Sequence, residues 1–189
     1  MPKIYEMRWH GRGGQGIVLA NQLFARAALR EGKYAQAFPE FGPERSGAPV
    51  RGFTRISTGR IDIHQQIYQP DVVAVVDPAF LNEPGTFEGL KTGGMLIASI
   101  EENLSYEEDF LRKRFGLPTQ KIFTVDAVRI AQEVFQVPIY NTTVMGAVAK
   151  STGLVELESL RKVFEERFSG DTLAKNLQAL ERGYQEVTR

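Results

Sequence analysis

The chain contains no cysteine. Disulfides, thiolate-bound zinc and thiolate ligation of an iron–sulfur cluster are therefore excluded for this polypeptide. It has only two histidines, so few side chains change charge near neutral pH. An excess of one charge is missing too, since 23 basic residues balance 23 acidic ones. That balance gives no footing for nucleic acid or an anionic membrane. No apolar run reaches the roughly 18 residues of a membrane span, and the start of the chain shows no signal-peptide pattern. These absences predict a cytoplasmic protein. Motifs for self-sufficient chemistry are absent as well: no G-x-S-x-G, no Walker loop, no histidine pair at metal spacing. Carboxylates are plentiful, but none form an obvious isolated pair.

What remains is an ordinary globular composition, 42% apolar and 24% charged over 189 residues. That length predicts a single domain spanning 1–189 with a sizeable core. The chain is organised around Gly11, Arg12, Gly13, Gly14, Gln15 and Gly16. Residues 4–9 before this stretch read as a strand, and residues 17–29 after it as an apolar helix buried on several sides. Strand, glycine turn, helix is an anion-cradling arrangement, because glycines permit sharp turns and the helix start adds free N–H donors. The bland alternative is a tight turn without a ligand. Gly11, Gly13 and Gly16 satisfy the dinucleotide spacing, yet the next apolar segment, 33–38, runs into Pro39 with no acid at its tip to hold a ribose, and Glu40, after the proline, is a poor substitute. Arg12 and Gln15 also fill space that a pyrophosphate needs. The turn thus faces a polar or anionic partner other than a nicotinamide dinucleotide.

Residues 38–50 hold three prolines and two glycines among aromatic and charged side chains. This predicts an irregular stiff loop, either touching a partner or ligand or serving as a structural Ω-loop. Residues 50–57 and 61–67 alternate in polarity across Thr58-Gly59, which predicts an antiparallel hairpin with a polar face. His64 falls on that face; His10, beside the glycine turn, reads as a packing or hydrogen-bonding residue. Residues 71–77, 93–99 and 121–125 read as buried parallel strands. Asp77 is either a site residue or a helix cap. Residues 101–113 predict a solvated helix, and Asp126 caps a helix over 127–135. Asn141 or Thr142 caps the next, 156–168 is amphipathic, and Asp171 caps the last. The fold class is α/β: a three-layer α/β/α sandwich with a mixed, mostly parallel sheet, an antiparallel hairpin and C-terminal helices.

Several motifs carry a family resemblance. They are the glycine turn, Gln36-Ala37-Phe38-Pro39, Gly42-Pro43-Glu44-Arg45-Ser46-Gly47-Ala48-Pro49-Val50, and Phe53-Thr54-Arg55-Ile56. With Pro70-Asp71-Val72-Val73, Asn141-Thr142-Thr143-Val144-Met145-Gly146-Ala147, Phe168-Ser169-Gly170 and Asn176, they resemble gamma subunits of the 2-oxoacid:ferredoxin oxidoreductase family. The Ser-Gly-Ala-Pro form is typical of the pyruvate and branched-chain types. The resemblance implies a complex that oxidatively decarboxylates a 2-oxoacid, most simply pyruvate, to acetyl-CoA, CO2 and reduced ferredoxin. It implies coenzyme A as co-substrate, with thiamine diphosphate, Mg and iron–sulfur clusters on alpha, beta and delta subunits. It assigns this chain no catalytic and no metal-ligating residue. Joined to the turn chemistry, it puts Gly11, Arg12, Gly13, Gly14, Gln15 and Gly16 beside coenzyme A. Glu40, Phe41, Glu44, Arg45 and Ser46 then contact a neighbouring subunit, Arg45 pairing an acid or a phosphate. Another oxoacid, such as 2-oxoisovalerate or oxalate, and a purely scaffolding subunit stay open.

Overall fold

The computed structural model describes residues 2–41, 47–83, 85–101 and 108–189, without the side chains of Phe41 and Glu108. Six strands form one sheet: β1 (Ile4–Arg12), β2 (Tyr34–Phe41), β3 (Pro49–Ser57), β4 (Val72–Val75), β5 (Met95–Ser99) and β6 (Lys121–Val125). Their order is β2-β3-β1-β4-β5-β6. β1, β4, β5 and β6 are parallel, while β3 runs antiparallel to both β1 and β2. The helices are α1 (Ile17–Arg30), α2 (Glu108–Phe115), α3 (Ala127–Val134), α4 (Asn141–Thr152), α5 (Leu157–Arg167) and α6 (Gly170–Glu186), with a 3-10 turn at Pro78–Asn82. Among the described residues no helix is long and apolar enough to cross a membrane.

Alternation along the strands divides the core between two layers. Met7, Trp9, Val72, Ala74 and Ile97 turn one way and pack under α1 and α3 to α6. Val73, Val75, Leu96, Ala98 and Ile122 turn the other way, against the 3-10 turn and α2. The expected α/β/α sandwich with its mixed sheet is therefore present. Val72–Val75 is buried on both faces, as an all-apolar run demands.

The expected hairpin is wrong in its second strand. β3 does form, but its neighbours are β1 and β2, so both of its edges are taken. Residues 61–67 form no strand. Their carbonyls are used instead by buried Arg55, which donates to Ile63 O at 3.4 Å and Gln65 O at 2.6 Å. The irregular reading of 38–50 also fails at both ends. Phe38–Phe41 finish β2 and Pro49–Val50 open β3. Pro39 is tolerated because β2 is an edge strand, where a missing N–H goes unnoticed. Glu44, Arg45 and Ser46, with Gly42 and Pro43, lie outside the described residues, as do 102–107 of the expected helix 101–113.

Caps were misplaced in two helices. Tyr140, not Asn141 or Thr142, is the N-cap of α4, and Ser169, not Asp171, that of α6; neither uses its side chain. Asn141 and Thr142 are drawn into tertiary bonds instead, to Gly16 O and Asn176 Oδ1. Asp126 does cap α3, accepting from Arg129 N at 2.8 Å, and the strand ahead of the glycine turn runs three residues further, to Arg12.

His10 lies on the polar face of β1, buried, with Nε2 accepting from Arg8 Nε at 2.9 Å. Burial, then the charges of Arg8 and Arg51, pushes its pKa down to about 3. A histidine depressed when folded stabilises the fold above its unfolded pKa, and that stability is lost as pH falls. Between pH 6.5 and 3 the unfolded chain holds one more proton at this site than the native one. Going from pH 7 to pH 5 is expected to cost about 2 kcal/mol through His10. Denaturant melts at the two pH values check this, and His10→Gln, which keeps an acceptor for Arg8, should flatten the difference.

Candidate functional site

The chain leaves β1 through α1 toward β2, and leaves β4 toward β5 and β6. These crossovers diverge between two adjacent parallel strands, so a crevice opens outside the carboxyl ends of β1 and β4. The glycine turn sits there. Gly14 and Gly16 have φ of 92° and 72°, the left-handed region that glycine enters without penalty. Gly16 also faces Asn141: a Cβ there would come within 2.5 Å of Asn141 Nδ2. Asn141 in turn donates to Gly16 O at 3.3 Å, tying the start of α4 to the start of α1.

Four hydrogen bonds among Arg12, Gln15 and Asp77 close the turn into a ring. Gln15 Oε1 accepts from Arg12 N at 2.8 Å, and Gln15 N donates to Arg12 O at 3.1 Å. Gln15 Nε2 and Arg12 Nε both donate to Asp77 Oδ2, at 2.8 and 3.1 Å. Asp77 Oδ1 accepts from Ala79 N at 2.9 Å and so caps the 3-10 turn. Asp77 is thus the helix cap that its sequence position allowed, and its second oxygen also holds Arg12 and Gln15. Arg12 Nη1 reaches Gly47 O at 3.3 Å, and its guanidinium stands 5.4 Å from the Phe80 ring centre. Gly13 N donates to Ala48 O at 2.9 Å, which docks the turn on the segment entering β3.

The expectation of several free N–H groups in one hollow is met only in part. Those of Arg12, Gly13 and Gln15 are used inside the protein. Those of Gly14, Gly16 and Ile17, and Arg12 Nη2, have no acceptor among the described residues. Tyr140, at the start of α4, feels the same carboxylate: burial, then the charges of Asp77 and Glu101, raises its pKa.

Strand register carries the second motif to the same edge of the sheet. Phe41, Val50 and Gly11 make one row across three strands, and Glu40, Arg51 and His10 make the next. Glu40 Oε2 lies 3.7 Å from Arg51 Nη1, too far for a hydrogen bond. Sequence reasoning missed Asn141 as a neighbour of the turn. The small-residue run after Asn141 was visible, but what it packed against was not.

The comparisons with known proteins agree with this fold. Residues 6–186 match the model of the pyruvate ferredoxin/flavodoxin oxidoreductase family. The chain belongs to this family. Within it, the chain is 49% identical to the "Pyruvate/ketoisovalerate oxidoreductases common subunit gamma" of Thermococcus kodakarensis, over 96% of each chain. It is 46% identical to the gamma subunit of NADH-dependent phenylglyoxylate dehydrogenase of Aromatoleum evansii, over 97% of this chain and 94% of that one. The crystal structure of pyruvate oxidoreductase subunit PORC from Thermotoga maritima superposes with a TM-score of 0.85, at 42% identity and 98% coverage of both chains. The chain is thus a gamma-type subunit of a multi-subunit 2-oxoacid oxidoreductase.

Proposed function

We propose that this gamma subunit serves a pyruvate:ferredoxin oxidoreductase and that its glycine turn borders the route of coenzyme A. The complex would convert pyruvate and coenzyme A to acetyl-CoA, CO2 and reduced ferredoxin in the cytoplasm. Thiamine diphosphate, when bound, supplies the electron sink for decarboxylation, and the clusters carry the electrons away. No cysteine is available in this chain for a cluster, and among the described residues no group of three or more His, Cys, Asp or Glu could hold a metal ion. Those groups are accordingly assigned to the alpha, beta and delta subunits. Residues 1–189 act as one domain. Arg12, Gly13, Gly14, Gln15 and Gly16 face the anionic co-substrate, whereas Gly11, also expected there, is buried beneath Ile17 and Gln15; Glu40, Phe41, Glu44, Arg45 and Ser46 face a neighbouring subunit.

The observation that carries this reading is Arg12. Its side chain is 40% exposed and held at Nε, and among the described residues Nη2 and the neighbouring N–H groups of the turn have no acceptor at this strand-end crevice. Such a fork suits a phosphate better than a lysine would. In the complete enzyme, Arg12→Ala should raise the apparent KM for coenzyme A about ten- to hundredfold, the worth of one charged hydrogen bond. An unchanged KM with intact assembly would falsify the site role and leave a scaffold. A relative shared by pyruvate and ketoisovalerate enzymes supports placing the oxoacid pocket on other chains. By the same token, 2-oxoisovalerate is the second candidate substrate, and turnover of both acids by the purified complex separates the two.

A further inference from the structure

We propose that Asp77 is the positioning residue of the glycine turn, setting the affinity of the complex for the phosphates of its acyl-acceptor co-substrate. This rests on the reading that the turn borders that co-substrate. Asp77 is 9% exposed, below the reach of a ligand on the turn. It acts through what it holds. One oxygen, Oδ2, takes both Arg12 Nε and Gln15 Nε2. Gln15 is thereby turned so that its other end takes Arg12 N. Both long side chains of the turn are fixed by a single buried acceptor. Arg12 is gripped at Nε, the atom nearest its stem, so the outer face of the guanidinium points away from the carboxylate. The Phe80 ring supports the guanidinium from one side. Two long side chains are ordered before a ligand arrives, and that ordering is no longer charged against binding.

A second effect opposes this. A buried carboxylate beside an anion site repels the anion, so its removal alone would tighten binding. The ordering effect wins here, because the carboxylate is already neutralised by the Arg12 pair and two rotamer-rich side chains depend on it.

The test is Asp77→Asn in the complete enzyme. Asparagine keeps the size and still caps through Oδ1, but turns an amide donor toward Arg12 and Gln15. The apparent KM for coenzyme A should rise about tenfold, while kcat and the KM for the oxoacid stay within about twofold. A KM that stays level or falls in Asp77→Asn overturns the proposal, a fall meaning that the carboxylate only repels. Parallel losses in kcat, both KM values and Tm overturn it too, since they mark a fold defect. If Arg12→Ala raises the KM and Asp77→Asn does not, the coenzyme A reading stands and the positioning role fails. If neither does, both fail.

Discussion

Arg55→Ala is expected to lower the stability of the chain by about 3–5 kcal/mol, the cost of removing one partner from a buried charged pair. In a protein of this size that is a drop on the order of 10 °C in Tm. Arg55 is fully buried, at 0% exposure, in the polar layer beneath residues 60–70. Nε donates to Glu6 Oε1 at 2.9 Å, while Nη1 reaches Gln36 Oε1 and Ile63 O at 3.4 Å and Nη2 reaches Gln65 O at 2.6 Å. Its guanidinium also lies 5.3 Å from the Phe38 ring centre. Alanine leaves a cavity, strips two loop carbonyls of their donor, and leaves the Glu6 carboxylate, among the described residues, with only Lys91 at 4.0 Å. Arg55→Lys keeps the charge but not the fork, and should recover less than half of the loss. Arg60→Ala is the surface control. Its pair with Asp62 is open to solvent, and its removal should leave Tm unmoved.

The same arginine shows where the sequence stopped being readable. Periodicity located β4, β5, β6, α3 and α5, because each buries a continuous apolar face whose partner need not be known. Residues 61–67 alternate as well as any strand, yet Arg55 and two occupied edges of β3 leave them nowhere to pair. Alternation reports two environments, not a ladder. Pro39 misled in the opposite direction, since only sheet order reveals that β2 is an edge. In the site, the glycine turn, Arg12 and Gln15 were visible from residue type alone. Asp77 stayed ambiguous because its two roles use different oxygens of one carboxylate. Asn141 was misread as a cap, the commoner use of such a residue, when its partner lay 125 positions away.

Gly183→Ala should be the most damaging small change in the helical layer, costing about 3 kcal/mol or more as an overpacking substitution. Alanine is the better helix former by about 1 kcal/mol, so propensity alone predicts a gain. Packing reverses the sign. A Cβ at Gly183 would fall inside the contact radius of the Thr143 carbonyl oxygen, and one at Gly146 would overlap the Leu180 carbonyl oxygen. α4 and α6 therefore meet backbone to backbone, each glycine being the notch for the other helix. No rotamer change relieves such an overlap, because the obstructing atoms are main chain; the helices must separate. The consequence reaches the site through α4. Asn141, at its first turn, holds Gly16 O and leaves no space above Gly16, so a displaced α4 moves the start of α1 with it. Gly183→Ala should accordingly lower Tm and raise the KM for coenzyme A together, whereas Arg12→Ala raises the KM alone. Gly153→Ala separates packing from backbone strain. Gly153 is the C-cap of the same helix with φ of 61°, and a Cβ there meets nothing within 4 Å. It should cost only the left-handed penalty, about 1 kcal/mol, and leave the KM untouched. A Gly183→Ala complex with parental Tm and parental KM would show that α4 and α6 can part without loss, and that the turn does not depend on where α4 begins.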